Sequence, residues 1–139
     1  AEYAKRLGGF CKLQLLELAE ERLPSNPTHG QIQAALEKEA TAIRAKIPPS
    51  SSVVALCVEG RMRSSPELAQ LLEAWSHNSA KHLVFLIGGS YGLDGRLKAE
   101  AWAQLSMSPM TFPHHLARVM LLEQIYRAFQ INSGGSYHK

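Results

Sequence analysis

Along the chain, apolar and polar positions alternate between two kinds of run. Short continuous apolar stretches of strand length occur at Ser52 to Val58 and at His82 to Ile87, and each gives way to a segment with helical spacing. Three further strands or helices complete the pattern on the N-terminal side. Ala1 to Leu7 reads as the end of a helix, closed by Gly8-Gly9 as a left-handed stop, and Lys12 to Leu18 as a strand. A polar loop holding Pro24 and Pro27 then leads to Thr28, which caps a helix running to about Lys46 and halted by Pro48-Pro49.

Gly60 is expected to terminate the Ser52 strand. Ser64-Ser65-Pro66-Glu67 then sets capping hydroxyls beside a proline whose missing N–H is harmless in a first turn, so a helix follows to near Ser76. After the His82 strand, Gly88-Gly89-Ser90-Tyr91-Gly92 breaks the chain, Asp94 to Ala103 forms a helix and Gln104 to Met107 a short strand. A loop stiffened by Pro109 and Pro113 leads into a long helix from about His114 to Ile131. Leu116, Val119, Leu122, Ile125, Tyr126 and Phe129 are expected to share its apolar face. Strands that alternate with helices, and are apolar throughout instead of every second residue, define an α/β fold: a mainly parallel sheet with helices on both faces. One domain accounts for the 139 residues.

Composition changes little in this picture. The hydrophobic share of 45% and charged share of 19% are those of an ordinary globular chain, with no apolar stretch of membrane-spanning length and no leader, which points to the cytoplasm. The two cysteines, Cys11 and Cys57, sit in apolar runs and read as free thiols. A net charge of +3 favours a polyanionic partner, but only mildly.

In open α/β sheets the ligand crevice lies beyond the carboxyl ends of the strands. The exits here are Glu59-Gly60, Gly88-Gly89-x-x-Gly92, and Met107 to Phe112. The glycine loop lacks the Gly-Lys-Ser/Thr of a P-loop and the spacing of a dinucleotide fingerprint, which argues against nucleotide hydrolysis and hydride transfer. Alone, it reads first as a tight strand-to-helix turn with no ligand. The tail Tyr137-His138-Lys139 offers a phenol, an imidazole and a cation, or merely a frayed end. None of the six histidines has metal-ligand spacing with a Cys or carboxylate, so no metal is expected, and Arg118 and Arg127 on the last helix are ordinary surface cations when taken singly.

Taken together, Phe85-Leu-Ile-Gly-Gly-Ser-Tyr-Gly92, Leu105-Ser-Met-Ser-Pro-Met-Thr-Phe-Pro-His114, Leu116 to Phe129 and Tyr137-His138-Lys139 closely resemble the RlmH family. These are large-subunit rRNA pseudouridine N3-methyltransferases of the SPOUT superfamily, and the resemblance runs over essentially the whole chain. It implies a C-terminal trefoil knot, an exception to the rule that chains do not thread loops. It also implies S-adenosylmethionine (SAM) held by Leu56, Gly88, Met107, Ser108, Pro109, Met110, Thr111 and Phe112.

The implied reaction is methylation of pseudouridine N3 in 23S rRNA on the assembled 70S ribosome. His138 would be general base or positioning group, Tyr137 would shape the substrate pocket, and Arg127 and Lys139 would hold phosphate or an anionic base. A homodimer is expected, because such a tail would complete a partner's pocket and because Leu121, Leu122 and their neighbours offer more apolar surface than one core face needs. The family carries a strand and the start of a helix ahead of Ala1, and often proline at the place of Ser136. Two alternatives stay open: a knotted methyltransferase with another RNA target, and a non-catalytic ribosome-binding or assembly module.

Overall fold

A computed structural model describes residues 2–138. In chain order the elements are α1 (Glu2–Leu7), α2 (His29–Lys46), β1 (Ser51–Met62), α3 (Ser65–Ser76), β2 (His82–Ile87), α4 (Gly95–Glu100), β3 (Ala103–Ser106) and α5 (His114–Asn132). The strands form one parallel sheet in the order β2-β1-β3. Side chains alternate across it, so consecutive residues of β1 feed opposite layers. Val54 faces Leu68, Leu72, Leu121, Ile125 and Ala128 of α3 and α5, whereas Ala55 faces Ala40, Leu93 and Leu97 beside α2 and α4. Both faces are therefore covered, as the unbroken apolar runs predict.

The capping signals work as read. Thr28 Oγ1 accepts from Gln31 N at 3.1 Å while Gln31 Oε1 accepts from Thr28 N at 2.8 Å. Ser64 and Glu67 repeat the exchange at 3.2 and 2.8 Å at the head of α3. Each box satisfies two amides that the first helical turn leaves orphaned.

Several expectations need correction. The strand at Lys12 to Leu18 does not form: residues 12–24 run as an irregular, largely exposed segment. Apolar spacing supplies a strand's faces but not its ladder, and no edge of the described sheet pairs with this stretch. Gly8-Gly9 ends α1 without a left-handed residue, through tight turns from Gly8 N to Lys5 O (3.2 Å) and Gly9 N to Arg6 O (3.3 Å). The apolar stripe of α5 centres on Leu121, Leu122, Ile125 and Ala128, with Tyr126 and Phe129 packed against the same core as expected. Leu116 and Val119 are 47% and 48% exposed, because the first turns of the helix project past α3. Leu121 and Leu122 are thus core residues, not spare surface.

Gly60 does not stop β1. The strand pairs with β3 in two registers, Leu56 opposite Leu105 and then Arg61 opposite the same Leu105, so residues 57–60 arch out of the ladder between them. A Cβ on Gly60 would lie 2.9 Å from backbone atoms of Gln104 and Leu105. Its role is close backbone approach, not termination.

Candidate functional site

The three strand exits converge on one cavity of about 360 Å³, within the size range of small-molecule sites. Seven of the eight residues singled out from the sequence line it: Leu56, Gly88, Met107, Ser108, Met110, Thr111 and Phe112. Pro109 does not. It is exposed, in a loop where Ser106 Oγ donates to Ser108 O (3.2 Å) and Met110 N donates to Ser108 Oγ (3.0 Å).

Two features make this a cradle for a flat polar ligand. Gly88 packs so close to Gly92 that a Cβ would sit 2.4 Å from the Gly92 carbonyl carbon, which brings bare backbone to the cavity wall. On the facing loop, no backbone–backbone hydrogen bond engages Thr111 or Phe112 among the described residues, leaving their N–H and C=O groups free for a ligand edge. The glycine loop is braced from outside by Glu20, whose Oε2 accepts from Ser90 N and Oγ, both at 3.4 Å.

Two charged residues stand on the wall and form an ion pair: Glu59 from the arch of β1, which the sequence placed at a strand exit without a role, and Lys98 from the last turn of α4, which sequence reading passed over. Lys98 holds the Glu59 carboxyl below the usual carboxylate range, and burial beside that carboxylate pushes the Cys57 thiol up. The only signal for them was position: Glu59 follows an apolar strand, but Lys98 looks like any helical surface cation.

The tail folds onto its own helix. Arg127 grips Glu123 with both edges of its guanidinium, Nη2 to Oε2 at 2.6 Å and Nε to Oε1 at 3.3 Å, and its Nη1 lies 3.0 Å from His138 Nδ1. Tyr137 donates its hydroxyl to Glu123 Oε2 at 2.9 Å, and its ring lies under the Arg127 guanidinium at 4.9 Å. Partial burial opposes charge on Glu123, yet the bonds from Arg127 and Tyr137 outweigh it and hold the carboxyl below its usual range. The hydroxyl of Tyr3 and the Glu123 carboxylate push the Tyr137 phenol well above its ordinary value. Guanidinium has no acceptor, so Nδ1 of His138 accepts and Nε2 carries the hydrogen.

Tyr137, His138 and Arg127 are thus gathered around Glu123, which sequence reading did not single out; Lys139 lies outside the described residues. This cluster is not in the cavity. Ala117 of α5 lines the cavity, and Arg127 stands ten residues further on, about 15 Å at helical rise. Elsewhere, Glu17 comes beside His114 and His115 with ligand atoms within 4.8 Å of one another, all exposed, which sequence spacing did not reveal. Arg118 also reaches Glu17, at 3.6 Å.

A parallel sheet whose glycine-rich and proline-rich exits close over one cavity is an α/β arrangement built to hold a small molecule at its strand ends. The family described as "Predicted SPOUT methyltransferase" matches residues 1–138, and the chain belongs to that family. It is 43% identical over 139 residues to a protein of Leuconostoc mesenteroides named Ribosomal RNA large subunit methyltransferase H, covering 100% of this chain and 87% of that one. A protein of the same name from Bifidobacterium adolescentis is 44% identical, with the same coverage. No helix among the described residues is long and apolar enough to cross a membrane.

Proposed function

We propose that the chain is an rRNA methyltransferase that uses SAM to methylate N3 of a pseudouridine in 23S rRNA of the assembled 70S ribosome, in the cytoplasm and as a homodimer. The observation that carries this reading is the coincidence of seven expected cofactor residues on one cavity wall, in a chain whose relatives are named for large-subunit rRNA methylation. Leu56, Met107 and Phe112 provide apolar surfaces for an adenosine, and the backbone at Gly88, Thr111 and Phe112 provides its polar partners. SAM, when bound, supplies an electrophilic methyl on a sulfonium. The doubled β1–β3 register, with its arch, is compatible with the trefoil knot that the family implies.

Pseudouridine N3 carries a proton that must leave before its lone pair can attack. In the arrangement around Glu123, Nδ1 of His138 is engaged by Arg127, so the imidazole offers Nε2–H as a donor to a base carbonyl. His138 therefore positions the base and stabilises its negative charge as N3 loses its proton to solvent water, with Arg127 behind it and Tyr137 forming the wall. The separation of this cluster from the cavity in its own chain supports a dimer in which each tail serves the partner's cavity. Leu116 and Val119, exposed between cavity and tail, supply apolar surface for that contact.

The decisive experiment is transfer of labelled methyl from SAM to unmodified 70S ribosomes, with free 23S rRNA alongside. Incorporation on 70S particles, mapped to a pseudouridine base, is expected. SAM-indifferent, salt-sensitive ribosome binding without incorporation would instead identify a non-catalytic module, and a methyl found on another nucleotide a different RNA target.

A further inference from the structure

Among the residues lining the cavity, Glu59 and Lys98 are the only acidic and basic side chains apart from His114. Lys98 is drawn inward, its side chain 25% exposed, while Glu59 is more open at 56%. The lysine is anchored from behind: its carbonyl accepts from Gln104 Nε2 at 3.0 Å and from Ala101 N at 3.2 Å, and Gln104 Oε1 in turn receives the Cys57 thiol at 3.7 Å. An ion pair this open contributes only about 0–1 kcal/mol to stability. Folding alone gives little reason to hold a lysine against the wall of a cavity otherwise lined by apolar and uncharged polar groups.

Resting on the reading of this cavity as the SAM site, we propose that Glu59 and Lys98 receive the amino-acid end of the cofactor, Lys98 pairing with its α-carboxylate and Glu59 with its α-ammonium. The chemistry is that of two complementary zwitterions. Adenosine has apolar and backbone partners at Leu56, Gly88 and Phe112, whereas an amino-acid group has no oppositely charged partners on the wall except this pair, the other titratable side chains there being Cys57, Tyr91 and His114. Without ligand, each charge satisfies the other, so neither is left desolvated and alone. On binding, one ion pair is exchanged for two, and the cavity gains discrimination against adenosine compounds that lack the amino acid.

Calorimetric binding of S-adenosylhomocysteine, decarboxylated SAM and 5′-methylthioadenosine to the full chain tests this. Wild type is expected to bind S-adenosylhomocysteine at least about 10-fold tighter than methylthioadenosine. Lys98→Met should remove about 10-fold of that affinity, leave methylthioadenosine and decarboxylated SAM within about 2-fold, and be largely rescued by Lys98→Arg. Glu59→Gln should weaken both ligands that carry the ammonium. Unchanged S-adenosylhomocysteine binding in both variants, or an equal loss for all three ligands, would overturn the role of the pair while leaving the cavity as the cofactor site. Failure of wild type to bind any of the three would overturn the cofactor reading itself, and this inference with it.

Discussion

Arg127 Nη1 lies 3.0 Å from His138 Nδ1, and that contact fixes which imidazole nitrogen carries the hydrogen. Nitrogen-detected NMR at neutral pH should show His138 as the Nε2–H tautomer in wild type. Arg127→Met should release that preference and lower single-turnover methyl transfer by about 10- to 100-fold through loss of orientation. A tautomer unchanged by the substitution would dissociate Arg127 from the imidazole.

Tail docking depends on pH through Glu123. Its folded value is lowered, so its contribution is fully present above the ordinary carboxylate value and is lost as pH falls through the lowered one. Glu123→Gln should therefore melt lower than wild type at pH 7, by about 1–2 kcal/mol, with the gap closing under acid conditions. Tyr137 acts in the opposite sense: its value is raised, so its contribution holds below the ordinary phenol value and fades as pH rises beyond it. Thermal melts of both proteins across pH check the two signs.

Gly88→Ala places a methyl 2.4 Å from the Gly92 carbonyl carbon, so the glycine loop must move. The expected result is loss of S-adenosylhomocysteine affinity by about 10-fold or more, with a melting change of about 1–3 kcal/mol. Gly60→Ala, 2.9 Å from the β3 backbone, should show a similar loss of stability, read by chemical denaturation.

Leu7 has no exposed surface although α1 is only six residues long, because it plugs the layer between the sheet, α3 and α5. Leu7→Ala should cost about 2–5 kcal/mol in urea unfolding. A cost below about 1 kcal/mol would mean that α1 is not part of the cooperative core.

The legible parts of this molecule were those whose physics is local. The run from His82 to Ile87, the boxes at Thr28 and Ser64, and the glycine loop each declare themselves within a few residues. Lys12 to Leu18 misled because a strand exists through its neighbour, and neighbours are not written in a local pattern. Leu116 and Val119 fit the helical stripe of α5, but only the extent of α3 decides where burial begins. The RlmH resemblance named Arg127, Tyr137 and His138 without the carboxylate that gathers them. Glu123 sits four residues before Arg127 and reads as a routine helical pair. Glu59 was placed at a strand exit, but its pairing with Lys98 was illegible: the partnership crosses from a helix to an arch that no periodicity announces.

The arch at residues 57–60 has a kinetic consequence. On either side of it β1 is laddered to β3, but the arch itself has no register partner there. Its amides should exchange with solvent deuterium faster than those flanking them, an unprotected island inside the central strand. Because the arch is also cavity wall, slowing of that exchange reports occupancy from within the sheet, without a label on the ligand.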